Sequence, residues 1–256
     1  MDLGKIYDQH VADTYDEDAL GLLSGARNLG IRQIIDSSLP AGATVLDLGV
    51  GTGETLAALA APRFPSGRRI GIDLSARMID VAQRKLAFEA HVDDACNAAA
   101  HVPPASVDLA LAHFLTTFVD RPKLFRMTAG LLRPGGLFSV VSTPTEAFHT
   151  VRSSLGALLG DAALVQAASP TPANADALAA ELTAAGFEIR TIETFRRKIV
   201  FENFDQCLDW GLKSGFFAHA IEAIGMEKIK SFANIPGIFP LADEYVGIAV
   251  LASPRA

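Results

Sequence analysis

The chain reads as a doubly wound α/β domain, a mostly parallel sheet with helices on both faces, and three observations predict it. Apolar strand-like runs alternate with helical runs from residue 43 to residue 142, the order that builds parallel sheets. The first run, Thr44-Val45-Leu46-Asp47-Leu48, passes into a glycine turn and then a helix. Finally, 256 residues, 50% of them hydrophobic and 20% charged, suit one such domain with additions better than two independent cores.

Asp2 to Leu39 reads as helical, with Leu22, Leu23, Leu29, Ile31, Ile34 and Ile35 near helical spacing and Pro40 closing the segment. Ala43–Leu48 then reads as a strand, Glu54–Leu59 as a helix, Arg69–Asp73 as a strand and Ala76–Leu86 as a helix, which makes a βαβ unit. A short strand at His91–Asp93, a loop holding Pro103 and Pro104, and a strand at Val107–Phe114 follow. The regular part ends with a helix at Pro122–Leu132, the turn Arg133-Pro134-Gly135-Gly136 and a strand at Leu137–Ser142. Thr143–Thr171 reads as an insertion containing a helix, Arg152–Leu159, ahead of a helix at Ala175–Ala185 that Gly186 stops. Strands at Glu188–Phe201 and Tyr245–Leu251 flank Glu202–Asp243, whose helical stretches Phe204–Leu212 and Phe217–Ile224 form a cap. The expected division is an N-terminal helical cap over 1–40 and a main domain over 41–256, with cap insertions at about 143–171 and 202–243. The phenylalanines of the tail (Phe195, Phe201, Phe204, Phe216, Phe217, Phe232, Phe239) form the cap's own core, and some line an apolar acceptor pocket.

A net charge of −7, from 29 acidic and 22 basic residues, lacks the basic surplus of a nucleic-acid binder. The start carries no basic stretch followed by an apolar run, and no later segment offers about 18 uninterrupted apolar residues. A cytoplasmic protein without membrane or nucleic-acid partners is expected, as a monomer or a homodimer. Cys96 and Cys207 read as buried free thiols, and the six histidines include no pair at helical ligand spacing, so no metal is expected.

The chemistry gathers at Asp47-Leu48-Gly49-Val50-Gly51-Thr52-Gly53. Glycines at a strand's carboxyl end let bare backbone approach a ligand. Twenty residues past Gly53, Asp73 ends the next strand, where a carboxylate can accept both hydroxyl hydrogens of a ribose. The spacing is G-x-G-x-G followed by Glu54, not the G-x-G-x-x-G that leaves a helix start free for pyrophosphate, and Asp47 adds a second negative charge. Such a site suits a nucleoside carrying an ammonium and a sulfonium, S-adenosyl-L-methionine (SAM), better than NAD.

Over roughly Thr44 to Ser142 the sequence resembles the class I SAM-dependent methyltransferase family, in the branch that modifies small molecules. The resemblance implies a Rossmann-like seven-stranded sheet with its last strand antiparallel. It implies that Asp47, Gly49, Gly51 and Gly53 wrap the methionine part of SAM, that Asp73 holds the ribose and that Leu74 and Met78 pack near the adenine. Asp94-Ala95 matches the acidic and small pair that contacts the adenine amino group, with Asp93 an adjacent rival. Asp108 to Phe114 matches the strand whose carboxyl end faces the transferable methyl, and Leu131 to Gly136 the turn into the fifth strand. His113 is then a cofactor-pocket residue and a candidate base for a hydroxyl or thiol acceptor, or a packed strand-end histidine. Tyr7 and Tyr15 pack the amino-terminal helices or close over the sulfonium, which makes Tyr15 the second catalytic candidate.

The implied reaction is methyl transfer to a small, partly apolar metabolite of secondary-metabolism type, leaving S-adenosyl-L-homocysteine (SAH). Two rivals keep the cofactor: cyclisation of SAM to azetidine-2-carboxylate with release of methylthioadenosine, and SAM binding without turnover.

Overall fold

The computed structural model describes residues 3–60, 66–159, 170–231, 233 and 237–255. Asp2, the later part of the expected 143–171 insertion and Phe232 lie outside the described residues. Seven strands form one sheet: β1 (Ala43–Leu48), β2 (Ser66–Asp73), β3 (Glu89–Val92), β4 (Val107–His113), β5 (Leu132–Ser142), β6 (Phe187–Phe201) and β7 (Leu241–Pro254). Their order is β3-β2-β1-β4-β5-β7-β6. Pairs from β3 to β5 are parallel, whereas β7 runs antiparallel to both β5 and β6. The expected fold class and its reversed last strand are both present.

The helices are α1 (Leu3–Ile6, continued by a π turn Tyr7–Val11), α2 (Leu22–Ile35), α3 (Glu54–Leu59), α4 (Ala76–Lys85), α5 (Arg121–Leu131), α6 (His149–Leu159), α7 (Ala175–Ala184), α8 (Phe204–Lys213), α9 (Ala218–Ile224) and α10 (Met226–Ser231). Strand alternation decides which helix each side chain meets. Leu46, Leu48, Ala110, Ala112, Phe138 and Val140 point to the face covered by α5 and α7. Val45, Leu109 and Leu111 point to the face covered by α2, α3 and α4. By the same period Asp47 and His113 fall on the α2 face, and that step places the site's polar groups.

Polar side chains set the helix starts. Ser75 accepts from Met78 N, Asp120 from Lys123 N, Asn174 from Ala177 N and Asn203 from Gln206 N, each filling an orphan donor of a first turn. Asp18 does the same for α2, accepting from the backbone N–H groups of Leu22, Leu23 and Ser24.

Several boundaries differ from expectation: β2 begins at Ser66 rather than Arg69, β3 covers Glu89–Val92 rather than His91–Asp93, and β5 begins at Leu132 rather than Leu137, taking in the expected turn because Leu132 already pairs with Val107. α6 begins at His149 rather than Arg152, because Phe148, at φ +55°, ends the preceding path and its carbonyl accepts from Arg152 N. β7 begins at Leu241 rather than Tyr245, because Leu241 to Glu244 pair with Phe201 to Lys198, a partnership that backbone hydrogen bonds stabilise without an apolar pattern. Ala95–Ala100 is a 3₁₀ helix, capped by Asp94, in the stretch between β3 and the loop of Pro103 and Pro104. β6 and β7 form one long hairpin whose ends are joined by α8, α9 and α10. A third apolar cluster fills the space there, with Trp210, Phe217, Phe148 and Tyr245 at its centre. Cys96 and Cys207 are free and buried. Among the described residues no helix is long and apolar enough to cross a membrane.

Phe138 is fully buried and touches Phe125 and Phe187, with ring centroids 5.8 and 5.3 Å away. Phe138→Ala should therefore lower unfolding free energy by about 3–5 kcal/mol, read from urea midpoints.

Candidate active site

At the carboxyl end of β1 the chain turns through Gly49, Gly51 and Gly53, all at positive φ (+72°, +54° and +77°), where other residues would be strained. Gly49 N and Val50 N donate to the carbonyl of Ile72 at 2.8 and 3.0 Å, which ties the turn to the end of β2. The three glycines do different work. At Gly51 a side chain would meet nothing closer than the Gly49 carbonyl at 4.0 Å, so its bareness opens space. At Gly53 a Cβ would lie 2.9 Å from the Ala82 Cβ, so this glycine lets α3 cross α4 and does not line the cavities.

Asp73 links the turn to the next helix. One carboxylate oxygen accepts from Gly51 N at 2.8 Å and the other from Ser75 N at 2.9 Å. Burial raises its pKa, opposed by these backbone donors. Each oxygen keeps lone pairs for hydroxyl donors. Asp47, 2% exposed, has no hydrogen-bond donor among the described residues. Burial and then the nearby Asp73 charge hold its pKa well above the usual carboxylate range, while Arg27 pulls it down. Arg27, buried on α2, lies 3.6 Å from Glu54 and with its guanidinium 6.0 Å from the Phe114 ring centroid. Sequence reading missed Arg27. Nothing about an arginine in an amphipathic helix shows that its face will meet the end of β1.

Asp47, Arg27, Gly49, Thr55 and His113 share a recess of about 300 Å³. It presents the buried Asp47 carboxyl and the Arg27 guanidinium, with Glu54 also on its wall, groups that can meet the ammonium and carboxylate of an amino-acid end. Beside it a cavity of about 690 Å³ runs past Gly51, Asp73, Leu74, Met78, Asp94 and Ala95. Every cofactor residue expected from sequence except Gly53 lines one or both of these spaces. Leu74 is half exposed and Met78 buried, an apolar pair suited to flank a flat base. Asp94 faces the cavity, whereas Asp93 is engaged with His101 Nε2 at 2.7 Å and Asn97 Nδ2 at 3.1 Å. The donor set fits SAM: a carboxylate for the ammonium, a guanidinium for the carboxylate, and Asp73 for the ribose.

His113 lines the cavities with both ring nitrogens already placed. Nδ1 lies 3.2 Å from the Thr55 hydroxyl and Nε2 2.9 Å from the Ser139 hydroxyl. Burial, helped by Arg27, pushes its pKa down to about 3, so the ring is neutral at ordinary pH. Gly30 on α2 leaves it room, since a Cβ there would lie 3.1 Å from the ring. Tyr15 and Tyr7 also face the cavity. Burial pushes Tyr15 up to about 12 and Tyr7 well above the usual phenol range, so both hydroxyls stay protonated. Phe114, at φ +60°, closes the end of β4 and lines all three spaces described below and above. A non-glycine residue in that conformation is strained and persists where the surroundings enforce it.

The amino-terminal segment is strapped across the turn. Asp8 accepts from the Ser75 hydroxyl (2.5 Å) and from Arg77 N (3.2 Å), and Asp13 pairs with Arg77 at 2.8 Å. Asp16 accepts from the Thr52 hydroxyl at 2.6 Å and pairs with Lys85, which also meets Glu54. Tyr7 and Tyr15 ride on this strap, which brings them over the cavity from far away in sequence. A second cavity of about 530 Å³ shares Tyr7, Tyr15, Phe114 and Phe118 with the first and adds Thr143, Arg152, Trp210, Phe216 and Tyr245.

Fold and site together define a doubly wound domain built for a cationic nucleoside at the topological break between β1 and β4. A family profile described as a methyltransferase domain matches residues 45–136. The chain is 31% identical over 155 residues to the ubiquinone/menaquinone biosynthesis C-methyltransferase UbiE of Hahella chejuensis, covering 54% of this chain and 62% of that protein. It is 30% identical over 167 residues to the carboxy-S-adenosyl-L-methionine synthase of Helicobacter hepaticus, covering 59% of this chain and 68% of the relative. The YcgJ protein of Bacillus subtilis superposes with a TM-score of 0.62 at 17% identity, over 90% of this chain and 99% of that one. The chain belongs to the class I SAM-dependent methyltransferase family, whose cofactor is SAM.

Two outcomes follow from the geometry. Asp73→Ala should weaken SAH binding by about 1–3 kcal/mol in calorimetry, and an unchanged affinity would remove Asp73 from the cofactor site. The folded His113 titrates near 3 against 6.5 for a free histidine, so between these values the unfolded chain holds the extra proton and stability falls as pH drops from 6.5. In His113→Gln the urea midpoint should decline less steeply over that window than in the parent protein.

Proposed function

We propose that the chain transfers a methyl group from SAM to a small, partly apolar metabolite by in-line displacement. The observation that carries this reading is the pair of cavities joined through Tyr7, Tyr15, Phe114 and Phe118, one lined by the cofactor-suited groups and the other by aromatic rings. When bound, SAM supplies an electrophilic methyl on a sulfonium. The chain's part is to hold and orient. Asp47 and Arg27 take the methionine end, Asp73 the ribose, and Asp94 with Leu74 and Met78 the adenine. The shared rings exclude water and set the line of approach for the acceptor, and alignment of that kind contributes most to a displacement that consumes charge.

We assign His113 to positioning. A neutral ring with both nitrogens on hydroxyls offers no lone pair free to take an acceptor's proton, and Tyr15 with a raised pKa is a donor rather than a base. Tyr15 instead directs its ring and hydroxyl at the join between the cavities. The acceptor is therefore one that needs no strong base, a carbon, nitrogen or already ionised oxygen nucleophile. The segments 1–40, 143–171 and 202–243 act as caps that choose it, since each contributes residues to the second cavity.

Incubation with methyl-labelled SAM and fractionated cell extract, read by mass spectrometry, tests the reading. Label should move to a small molecule with stoichiometric SAH. Release of methylthioadenosine would overturn transfer in favour of cyclisation, and tight SAM binding with no product from any fraction would favour a binding protein.

A further inference from the structure

The second cavity contains a charge that methyl transfer as such does not require. Arg152 sits on α6 with Nε donating to the Ala147 carbonyl at 2.9 Å and its guanidinium 5.3 Å from the Phe216 ring centroid. Its Nη2 is buried without an acceptor, and no carboxylate among the described residues lies within ion-pair distance of it. The nearest acid to act on it, Asp243, spends its oxygens on Val151 N (2.7 Å) and Glu244 N (2.8 Å). Burial pushes the guanidinium pKa down to about 10, so it remains charged at neutral pH. Trp210 supplies a second buried donor without an acceptor, Nε1, and its ring lies 5.3 Å from that of Phe216. Among the described residues lining this cavity, Arg152 is the only one with a formal charge.

A largely desolvated cation that lacks an acid partner is destabilising, and so is each unpaired buried donor. The cost is offset when a ligand brings the missing acceptors. One guanidinium with its Nε already occupied, no second cation and no additional charge on the walls match a single negative charge. The rings of Phe118, Trp210, Phe216 and Tyr245 match a flat apolar body.

Resting on the methyl-transfer reading, we propose that the acceptor is a small aromatic or similarly flat monocarboxylate whose carboxylate is held by Arg152 and Trp210, its nucleophilic end toward the wall shared with the cofactor cavity. Arg152 and Trp210 are thus specificity residues for the acceptor. They are not cofactor residues, for neither lines the cofactor cavity.

The test uses the SAH-saturated full chain and three probes of one shape, benzoate, neutral benzamide and phenyl phosphate, measured by calorimetry. Benzoate should bind at least about tenfold tighter than benzamide and tighter than phenyl phosphate. Arg152→Gln should erase the preference for benzoate over benzamide while SAH affinity stays unchanged, and Arg152→Lys should restore part of it. Trp210→Phe should weaken benzoate and leave benzamide alone. Equal binding of benzoate and benzamide, binding of neither, or a preference that survives Arg152→Gln would overturn the proposal. Tighter binding of phenyl phosphate would overturn the carboxylate assignment in favour of a phosphate-bearing acceptor. Should Arg152→Gln also lose SAH affinity, the lysine and Trp210→Phe variants decide by the same preference. If the parent protein fails to bind SAH, the cofactor reading falls instead, so the two failures are distinguishable.

Discussion

Two neighbouring carboxylates, the buried Asp47 and the partly buried Asp73, form the constraint around which the site is arranged. Like charges taken out of water repel and resist ionisation, and here each is raised by burial while Asp73 also raises Asp47. The protein answers unequally. Asp73 receives two backbone N–H groups from the turn it organises, whereas Asp47 has only the field of Arg27. The recess is therefore under-compensated for negative charge near Asp47 and carries a guanidinium next to it. A ligand with an ammonium, a carboxylate and a sulfonium relieves both conditions at once, and a pyrophosphate relieves neither.

The sheet makes that concentration of charge structurally tolerable. A parallel sheet directs the carboxyl ends of β1, β2 and β4 to one edge, and the two-residue period sends Asp47 and His113 to the α2 side while Leu46, Leu48, Ala110 and Ala112 fill the other. The polar groups thus occupy only the last turn of the strands. Beneath them the core is continuous and apolar, and it bears the stability that the site itself does not provide.

Much of this was legible in the chain. Alternation of apolar strands with helices specifies the parallel half, because every strand there is buried on both faces and leaves a local signature. The glycine turn and Asp73 were legible for the same reason: their chemistry is carried by neighbours in sequence. Arg27, the choice between packing and facing the cavity for Tyr7 and Tyr15, and Arg152 were not. Each reaches the site through a long-range contact, α2 against the end of β4, the strap across Thr52 and Ser75, and α6 against the hairpin of β6 and β7. Gly53 shows the converse. It shares the motif's spacing with Gly49 and Gly51, yet its lack of a side chain is needed by a helix crossing, which spacing cannot reveal. His113 was ambiguous from sequence because a strand-end histidine is defined by what meets its two nitrogens, and Thr55 and Ser139 come from different elements.

The strap of residues 3–18 gives the site walls that are held in different ways. Ile6, Val11 and Ala12 anchor it by burial, and Asp8, Asp13 and Asp16 add partly exposed polar contacts, of which the ion pairs contribute roughly 0–1 kcal/mol apiece and weaken with salt. The opposite wall belongs to the sheet, whose core beneath the site is continuous and buried. The strap's place over the cavity thus rests on both apolar burial and polar contacts made across long stretches of sequence, whereas the glycine turn is tied directly to the end of β2 through Gly49 N and Val50 N.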